Sequence, residues 1–412
     1  MSAAGVPPPE RPALRVAIVA GEASGDQLGA ALIAALRARV PEVRCFGVAG
    51  PKMLAAGCEA WARADELAVM GLAEVLQHLP RLLRLRRELL RRFAAAAPDV
   101  FVGIDSPEFN LRLARRLKQR GIRTVQYVSP QVWAWRQGRV RTIGASCDLV
   151  LCLLPFETDF YAQHGVAAAF VGHPLADQIP LSVDRDGARR ALALDPRAPL
   201  VALLPGSRLA EVARLAAPFV TAAARIVAQR PEYRFVAPMA SAAVREAFAR
   251  QVSQVPDAPE IRLLDGLAQQ ALAACDAALV ASGTATLETL LTGRPMVVAY
   301  RMSPLTALVL RATGLVKVRY FSQPNLLVGR PLVPEFLQEQ VTGEALADAL
   351  LHEVEDRDHV RMLLDEFAAV HRALRCDGAT RAADAILACA GSGSAAAGPA
   401  RDAQRARLSD AH

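Results

Sequence analysis

An isolated acid stands at a position where chemistry could take place. Asp105 directly follows the apolar run 100–104, which has the length and composition of a strand buried on both faces. Ligands collect at the carboxyl ends of the strands in open parallel sheets, so this acid lies where a reacting group is expected. The alternative is that Asp105 is only an N-cap or Asx-turn residue that starts a helix from about Phe109 to Gln119.

A small-residue turn with an arginine occurs in LLPGSRLAEV, residues 203–212. Gly206 and Ser207 follow an apolar run, and Arg208 comes at the start of a predicted helix. Backbone N–H groups at such a turn attract anions, and an arginine adds two parallel hydrogen bonds to a phosphate. A surface or interdomain salt bridge is the alternative role of Arg208.

A related loop occurs in ASGTATLETLL, residues 281–291. Ser282, Gly283, Thr284 and Thr286 supply hydroxyls and bare backbone after another apolar run. Glu288 falls within the first helical turns, where an acid repels phosphate but can accept both hydroxyls of a ribose. Together the loop and the acid predict a nucleotide-diphosphate site. The alternative is a polar N-cap followed by an ordinary surface glutamate.

The first loop of the chain, VAGEASGDQLGA at residues 19–30, differs from these two because it carries acids. Glu22 and Asp26 would repel a phosphate there. We therefore predict a sugar or acceptor site at this loop.

Short apolar runs alternate with helical patterns along the chain, as expected for βαβ units and parallel sheets. Two sets of predicted strands follow one another, which implies two doubly wound α/β domains with a cleft between them. The first set is 15–20, 43–47, 100–104, 124–128 and 149–153, and the second is 201–204, 233–238, 261–264, 277–280 and 296–299.

Composition narrows the class of protein. The 412 residues are 53% hydrophobic with 5% aromatics, which fits helix-rich α/β packing. The net charge of +7 suggests an anionic partner. The seven cysteines form no CxxC pair, so a zinc ribbon or a disulfide scaffold is not expected. Neither a signal peptide nor a membrane-spanning segment is predicted.

One segment, 67–93, combines apolar and cationic residues at helical spacing. Its membrane or lipid contacts are predicted to be Val69, Met70, Leu72, Val75, Leu76, Arg81 and Arg84. Such a helix suits an anionic membrane surface or a phosphorylated lipid. A core helix with a solvated arginine face is the alternative. Nucleic acid is not expected, because Phe93 is the one aromatic side chain in the segment and bases have no stacking platform.

The motifs together resemble one known family. AGEASGDQLGA, AVMGLAEVL, VFVGIDSPEFN, YVSPQVWAWRQGRV, LPFE, LLPGSRLAEV, LLDG, ASGTATLETLL, VVAYRMSP and FSQPNLLVGRPLVPEFLQ follow in the order found in lipid-A-disaccharide synthases. The resemblance covers nearly all of residues 15–390. It implies a GT-B fold with two Rossmann-like domains and an inverting glycosyltransferase of lipopolysaccharide biosynthesis in Gram-negative bacteria.

The implied reaction joins UDP-2,3-diacylglucosamine to 2,3-diacylglucosamine 1-phosphate (lipid X), releasing UDP and forming a β(1→6) disaccharide. The resemblance places Asp105 at the family's essential acid and Arg208, Glu288 and Asn325 among its nucleotide-site residues. Glu22 and Ser24 match a loop beside the active site. Thr286 departs from the family pattern, where we expect alanine, and should not change the reaction.

An inverting transfer needs a base for the attacking 6-hydroxyl, and Asp105 is the candidate. Its reference pKa near 3.9 would make it a weak base, and orienting the acceptor is the alternative role. Fixed N–H dipoles and an arginine can stabilise the leaving UDP, so no metal or other cofactor is expected. The expected location is the cytoplasmic surface of the inner membrane, with a homodimer as one expected assembly.

The predicted organisation has five parts. They are a flexible arm at 1–14, an acceptor and membrane-facing domain at 15–180, a UDP-sugar domain at 181–355, C-terminal helices at 356–390 packed back on the N-terminal domain, and a disordered tail at 391–412. Rival hypotheses are a peptidoglycan N-acetylglucosaminyltransferase, a UDP-N-acetylglucosamine 2-epimerase and a noncatalytic lipid- or nucleic-acid-binding protein.

Overall fold

A computed structural model describes residues 14–67, 72–135, 137–303 and 319–391. The chain forms two compact units. The first takes the chain up to Pro174 and resumes at Asp377, and the second extends from Leu175 to Cys376. The predicted arm and tail lie outside the described residues, apart from Leu14 and Gly391.

The first unit contains a seven-stranded parallel sheet in the order β3-β2-β1-β4-β5-β6-β7. Its strands are β1 Arg15–Ala20, β2 Arg44–Ala49, β3 Glu59–Arg63, β4 Val100–Ile104, β5 Arg123–Tyr127, β6 Leu149–Cys152 and β7 Ala168–Phe170. Its helices up to residue 162 are α1 Ala23–Arg39, α2 Pro51–Ala55, α3 Leu72–Ala96, α4 Pro107–Lys118, α5 Val132–Trp135, α6 Val140–Ser146 and α7 Phe156–Ala162.

The sheet of the first unit is covered on both faces, which is why its strands are continuously apolar. Along β1, Val16 and Ile18 join the core on the side of α1, whereas Ala17 and Val19 join the core on the side of α3 and α4. Strand β4 is buried along its whole length.

The second unit contains a six-stranded parallel sheet in the order β10-β9-β8-β11-β12-β13. Its strands are β8 Leu200–Leu204, β9 Arg234–Met239, β10 Ile261–Asp265, β11 Ala277–Ala281, β12 Met296–Tyr300 and β13 Glu335–Leu337. The helices from residue 174 onward are α8 Pro174–Gln178, α9 Arg185–Ala191, α10 Leu209–Gln229, α11 Ala242–Val252, α12 Ala268–Ala274, α13 Thr284–Leu291, α14 Gln323–Val328, α15 Gly343–Glu355, α16 Arg357–Leu374 and α17 Gly378–Gly391.

Each sheet has a point where the chain reverses the direction in which it adds strands. In the first sheet this point lies between β1 and β4, with Ala20 opposite Ile104. In the second it lies between β8 and β11, with Leu204 opposite Val280. Ligand sites of doubly wound sheets form at the carboxyl ends of these two strands.

The C-terminal helices differ from the prediction that both would pack on the N-terminal domain. Helix α17 does pack in the first unit, against α1, where Ala382, Ala383 and Ile386 are buried. Helix α16 belongs to the second unit, because its apolar face covers α13 and α14 there. The second unit therefore runs past the predicted end at residue 355 and begins at residue 175 rather than 181.

Candidate active site

The turn between β4 and α4 holds Asp105 in an uncommon backbone conformation. Asp105 and Ser106 have φ angles of 50° and 40°, so two consecutive residues other than glycine lie in the left-handed region. Such residues cost free energy unless the surrounding structure holds them, and they are concentrated at functional sites. Helix α4 starts only after Ser106 and has no side-chain cap, so the N-cap alternative for Asp105 is wrong.

Two buried amides hold this turn through the main-chain carbonyl of Asp105. The Nδ2 atom of Asn110 donates to it over 2.9 Å and to the carbonyl of Ile104 over 3.1 Å. The Nε2 atom of Gln126 donates to the same Asp105 carbonyl over 3.1 Å. A glycine is required at 103, because a Cβ atom there would lie 2.8 Å from the Cβ of Asn110.

The carboxyl group of Asp105 faces the first turn of α1. Its pKa is raised to about 6, first by burial and then by the negative charge of Glu22, while a hydrogen bond from Ser24 acts to lower it. Both Glu22 and Ser24 are exposed. The carboxyl is therefore a stronger base than its reference pKa near 3.9 suggested.

The two loops of the first unit approach each other closely at the carboxyl edge of the sheet. A Cβ atom at Gly21 would lie 2.2 Å from Oγ of Ser106, and one at Gly25 would lie 3.6 Å from Oδ2 of Asp105. Glycines at these positions allow the loop after β1 to lie against the turn after β4. The structure thus brings together the predicted residues Glu22, Ser24 and Asp105.

The second acid of the first loop has a structural role that the sequence reasoning missed. Asp26 is buried, and its carboxylate accepts hydrogen bonds from the N–H groups of Gly50, Lys52 and Met53 at 2.9–3.0 Å. It thereby caps the N-terminus of α2, which starts at Pro51. Pro51 at the first helical position was the sequence signal for this helix.

The turn after β8 is occupied by an internal acid. The Oε2 atom of Glu211 accepts from the N–H groups of Ser207 at 3.0 Å and Arg208 at 3.2 Å. Gly206 has a φ of 117°, and a side chain there would collide with Glu211. The prediction that these N–H groups are free for a phosphate is therefore wrong for the structure described.

The guanidinium group of Arg208 is the part of this turn that is open to a ligand. Its side chain is 76% exposed, and its described partner is Oε1 of Glu211, 3.3 Å away. An exposed pair of this kind contributes little free energy, so the guanidinium can exchange Glu211 for a phosphate at little cost.

The loop after β11 presents Gly283 and Thr284 at the surface. Gly283 has a φ of 152°, and there is open space where a side chain would be. The hydroxyl of Ser282 instead donates to the carbonyl of Phe321 over 2.9 Å, so Ser282 holds the loop. Because β8 and β11 are neighbours, this loop and the Gly206–Arg208 turn lie at the same edge of the second sheet.

Glu288 lies one turn into α13, and burial raises the pKa of its carboxyl above the ordinary value. Within the described ranges the carboxyl has neither a hydrogen bond nor an ion pair. An unpartnered, half-buried acid beside an exposed small-residue loop is suited to accept two vicinal hydroxyls.

Two further residues support this edge from within the protein. The buried hydroxyl of Thr286 donates to the carbonyl of Gly283 over 2.8 Å and accepts from the N–H of Gln323 over 3.3 Å. Asn325 is 1% exposed, and its amide oxygen accepts from the N–H groups of Leu332 and Val333. The structure therefore does not present the Asn325 side chain at the surface, as a nucleotide contact would require.

Comparison with known proteins decides between the hypotheses. The family model described as lipid-A-disaccharide synthetase matches residues 16–386. The lipid-A-disaccharide synthase of Alkalilimnicola ehrlichii is 52% identical over 380 residues, covering 92% of this chain and 99% of the relative. That of Azotobacter vinelandii is 54% identical over 375 residues, covering 91% and 97%.

The chain belongs to the lipid-A-disaccharide synthase family. It is a glycosyltransferase of lipid A biosynthesis that uses a sugar nucleotide and lipid X as substrates, as members of this family do. The reaction transfers 2,3-diacylglucosamine from UDP-2,3-diacylglucosamine to 2,3-diacylglucosamine 1-phosphate.

Solved structures support the GT-B fold expected for a lipid-A-disaccharide synthase. The glycotransferase of kitacinnamycin matches with a TM-score of 0.60 at 18% identity, over 91% of this chain and 98% of that chain. The UDP-GlcNAc 2-epimerase from Neisseria meningitidis matches with a TM-score of 0.57 at 10% identity, over 91% and 99%. The fold alone therefore does not separate the family from its rivals, whereas the sequence relatives do.

A buried polar network explains part of the YVSPQVWAW and LPFE motifs that characterise the family. Trp133 Nε1 donates to Glu157 over 3.0 Å, and the N–H of Leu154 donates to the other carboxylate oxygen over 3.0 Å. The hydroxyls of Ser129 and Tyr161 lie 3.1 Å apart beside it. The network joins the segment after β5 to the segment after β6.

The predicted lipid-contact helix is described in part. Val69 and Met70 lie outside the described residues, while Leu72, Val75 and Leu76 fall in the first turns of α3 without described side chains. Arg81 pairs with Glu66 over 3.2 Å, and Arg84 is exposed. The C-terminal part of α3 packs as a core helix, which was the alternative interpretation, because Leu89 and Phe93 are buried in the core.

Proposed function

We propose that Asp105 is the general base of the transfer and that the first unit binds the acceptor. The carboxylate takes the proton of the 6-hydroxyl while that oxygen attacks the anomeric carbon, and UDP leaves with the electrons of the broken bond. The observation that carries this proposal is the left-handed turn that holds the half-buried carboxyl of Asp105 beside the exposed Ser24 and Glu22, and the raised pKa of about 6 supports it. A base near the working pH is the most efficient catalyst of this step.

The second unit, on this proposal, binds the UDP-sugar. The guanidinium of Arg208 contacts the diphosphate together with the loop 282–284, and Glu288 accepts the ribose hydroxyls. The exposure of Arg208 and the unpartnered carboxyl of Glu288 support these roles. Asn325 acts indirectly, through the 329–333 loop that its amide holds.

Stabilisation of the leaving UDP falls to Arg208 and the exposed loop after β11, so we propose that no added metal or other cofactor is needed. Within the described part of the chain, no three His, Cys, Asp or Glu side chains form a group that could hold a metal ion. None of the described helices is both long and apolar enough to cross a bilayer.

We further propose peripheral association with the cytoplasmic face of the inner membrane, since both substrates carry acyl chains and α3 is rich in arginine and leucine. Self-association as a homodimer is the assembly expected. Nucleic acid is not an expected partner.

The decisive experiment measures UDP release by the purified protein with UDP-2,3-diacylglucosamine, with and without 2,3-diacylglucosamine 1-phosphate, in buffer containing EDTA. Asp105→Asn keeps the size of the side chain and removes the base. We expect acceptor-dependent release by the parent and a loss of about 10²–10⁴-fold in kcat for the variant. UDP-N-acetylglucosamine, which lacks acyl chains, should not replace the donor.

The folded state of the variant serves as its control. Burial raises the pKa of Asp105, so the charged carboxylate opposes folding above pH 6. Asp105→Asn should therefore unfold in urea at no lower concentration than the parent at neutral pH. A stable variant that releases UDP at the parent rate would show that Asp105 is not the base, and loss of parental activity in EDTA would show that a metal is required.

A further inference from the structure

An open groove of about 810 Å³ lies between α3 and α4 of the first unit. Its polar lining includes five arginines, Arg86, Arg87, Arg112, Arg115 and Arg116, and its apolar lining includes Leu83, Leu90 and Leu113. The volume falls within the range of sites that hold small molecules. No residue predicted to act in catalysis or nucleotide binding lines it.

The positive charge of the groove is not balanced by the protein. In the described ranges the five guanidinium groups make no hydrogen bond or ion pair. The acids nearest in sequence are engaged elsewhere, since Glu88 pairs with Arg91 at 2.9 Å and Glu108 with Arg139 at 2.6 Å. Burial and the charges of Arg112, Arg87 and Arg116 lower the pKa of Arg86. Like charges held together in this way favour an anion between them.

The groove is distinct from the site around Asp105. Helix α4 runs back from the carboxyl edge of the sheet, and Arg112 and Arg116 lie about 8 and 14 Å along its axis from Pro107. An anion between the arginines therefore lies toward the amino ends of the strands. A molecule other than the sugar whose hydroxyl reaches Asp105 must supply it.

We propose that this groove binds the phosphodiester headgroup of an anionic phospholipid at the membrane surface. Arginine matches phosphate oxygens with paired donors, and five arginines can neutralise more than one headgroup. The half-buried Leu83 and Leu90 give the groove apolar walls, and Leu79, 40% exposed, continues this face of α3 one turn earlier. No aromatic side chain lines the groove, so the stacking platform of a single-strand nucleic-acid site is missing.

This inference rests on the proposed membrane association and assigns it to specific residues. The test measures flotation of the full chain with vesicles, so it needs neither substrate nor turnover. The vesicles contain phosphatidylcholine alone or phosphatidylcholine mixed with phosphatidylglycerol. The groove variant carries Arg86→Gln, Arg112→Gln and Arg116→Gln. The control carries Arg190→Gln, Arg197→Gln and Arg250→Gln, which lose the same charge at exposed positions of the second unit.

We expect the parent and the control to bind mixed vesicles equally, with little binding to phosphatidylcholine alone. The groove variant should bind mixed vesicles at least about tenfold more weakly, because each arginine near an anionic surface contributes appreciably to partitioning. A variant with lysine at the same three positions keeps the charge and should retain most of the binding. Retained binding by this lysine variant would show that the groove variant loses binding because it loses charge and not because it misfolds.

Equal binding by the groove and control variants would overturn the groove as the headgroup site while leaving the membrane association intact. Parental binding to neither kind of vesicle would overturn the membrane association itself, without bearing on UDP release. Preferential binding of a short RNA through the same arginines would also overturn the proposal, because it would assign the groove to a different ligand.

Discussion

The chemistry of a single carboxyl group depends here on its burial and on two neighbouring side chains. Asp105 owes its raised pKa first to burial and then to the charge of Glu22, while Ser24 stabilises the ionised form. A carboxylate in water would be mostly ionised at any physiological pH and would be a poor proton acceptor for an alcohol. The same group at a pKa of about 6 is closer to the optimum for a base at neutral pH.

The pH dependence of turnover should report this carboxyl. Because the base must be ionised, kcat/KM should fall as the pH drops through about 6. Ser24→Ala removes a hydrogen bond to the charged form and should move the midpoint up. Glu22→Gln removes a repelling charge and should move it down. Initial rates of UDP release across the pH range measure both shifts. A midpoint that stays unchanged in both variants would assign the profile to another group.

At the scale of the elements, the turn between β4 and α4 is held by residues that touch no substrate. Asn110 and Gln126 donate to the carbonyl of Asp105 from α4 and from the neighbouring strand β5. They compensate for two left-handed residues in succession, so Asp105 projects at an angle that a relaxed turn would not give. Asn110 is a positioning residue in this sense.

Asn110→Leu tests whether the position of Asp105 affects turnover independently of the stability of the fold. We expect kcat to fall by about 10–100-fold with little change in KM, and the free energy of unfolding to fall by about 1–3 kcal/mol. Thr124→Val is the matched control, because Thr124 is equally buried on β5 and its hydroxyl donates to Ser146 over 3.0 Å. It should lose similar stability and retain kcat. Equal losses of kcat in both variants would assign Asn110 a purely structural role.

The loops after β8 and β11 in the second unit are also held by hydrogen bonds within the protein. Glu211 satisfies the N–H groups of Ser207 and Arg208, so these two donors are already occupied in the structure. On the proposed function, the diphosphate then contacts the arginine side chain and the exposed loop after β11. The hydroxyls of Ser282 and Thr286, which the sequence offered as possible ligand donors, are used to join α13 to the segment before α14.

At the scale of the whole molecule, the chain returns to its first unit after completing the second. Helix α17 packs on α1, with Ile386 in the core of the first unit and an ion pair between Arg39 and Asp384 at the surface. The core of the first unit is thus closed by the last described element of the chain.

Ile386→Ala should destabilise the protein by about 2–4 kcal/mol, because it opens a cavity in a closed core. Met362→Ala, on the exposed side of α16, should cost less than about 0.5 kcal/mol. Urea unfolding followed by circular dichroism, which reports the helices of both units, measures both changes. Limited proteolysis should also cut the first unit of the Ile386 variant faster. Equal stability of the two variants would show that α17 contributes little to the core.

Ten apolar runs were enough to predict the two doubly wound domains from the sequence. The structure contains all ten of the predicted strands, and their ends lie within two residues of the expected ones. It missed β3, β7 and β13, because short outer strands such as Ala168–Phe170 carry too few buried residues to form a pattern. It also located every loop of the candidate site, because glycine and proline mark the ends of parallel strands.

Which polar groups at those loops remain available to bind a ligand depends on the tertiary structure and could not be predicted from the sequence. Asp26, Ser282 and Thr286 hydrogen-bond to backbone groups 24 to 39 residues away in the sequence, and Asn325 to backbone groups seven and eight residues away. Asp105 and Glu288, in contrast, are left half-buried without full compensation of their charge. Periodicity and composition describe local preferences, but hydrogen-bond partners, burial and the resulting pKa depend on neighbours brought together by folding. The arginine groove between α3 and α4 has the same origin, since its charges come from two separate helices.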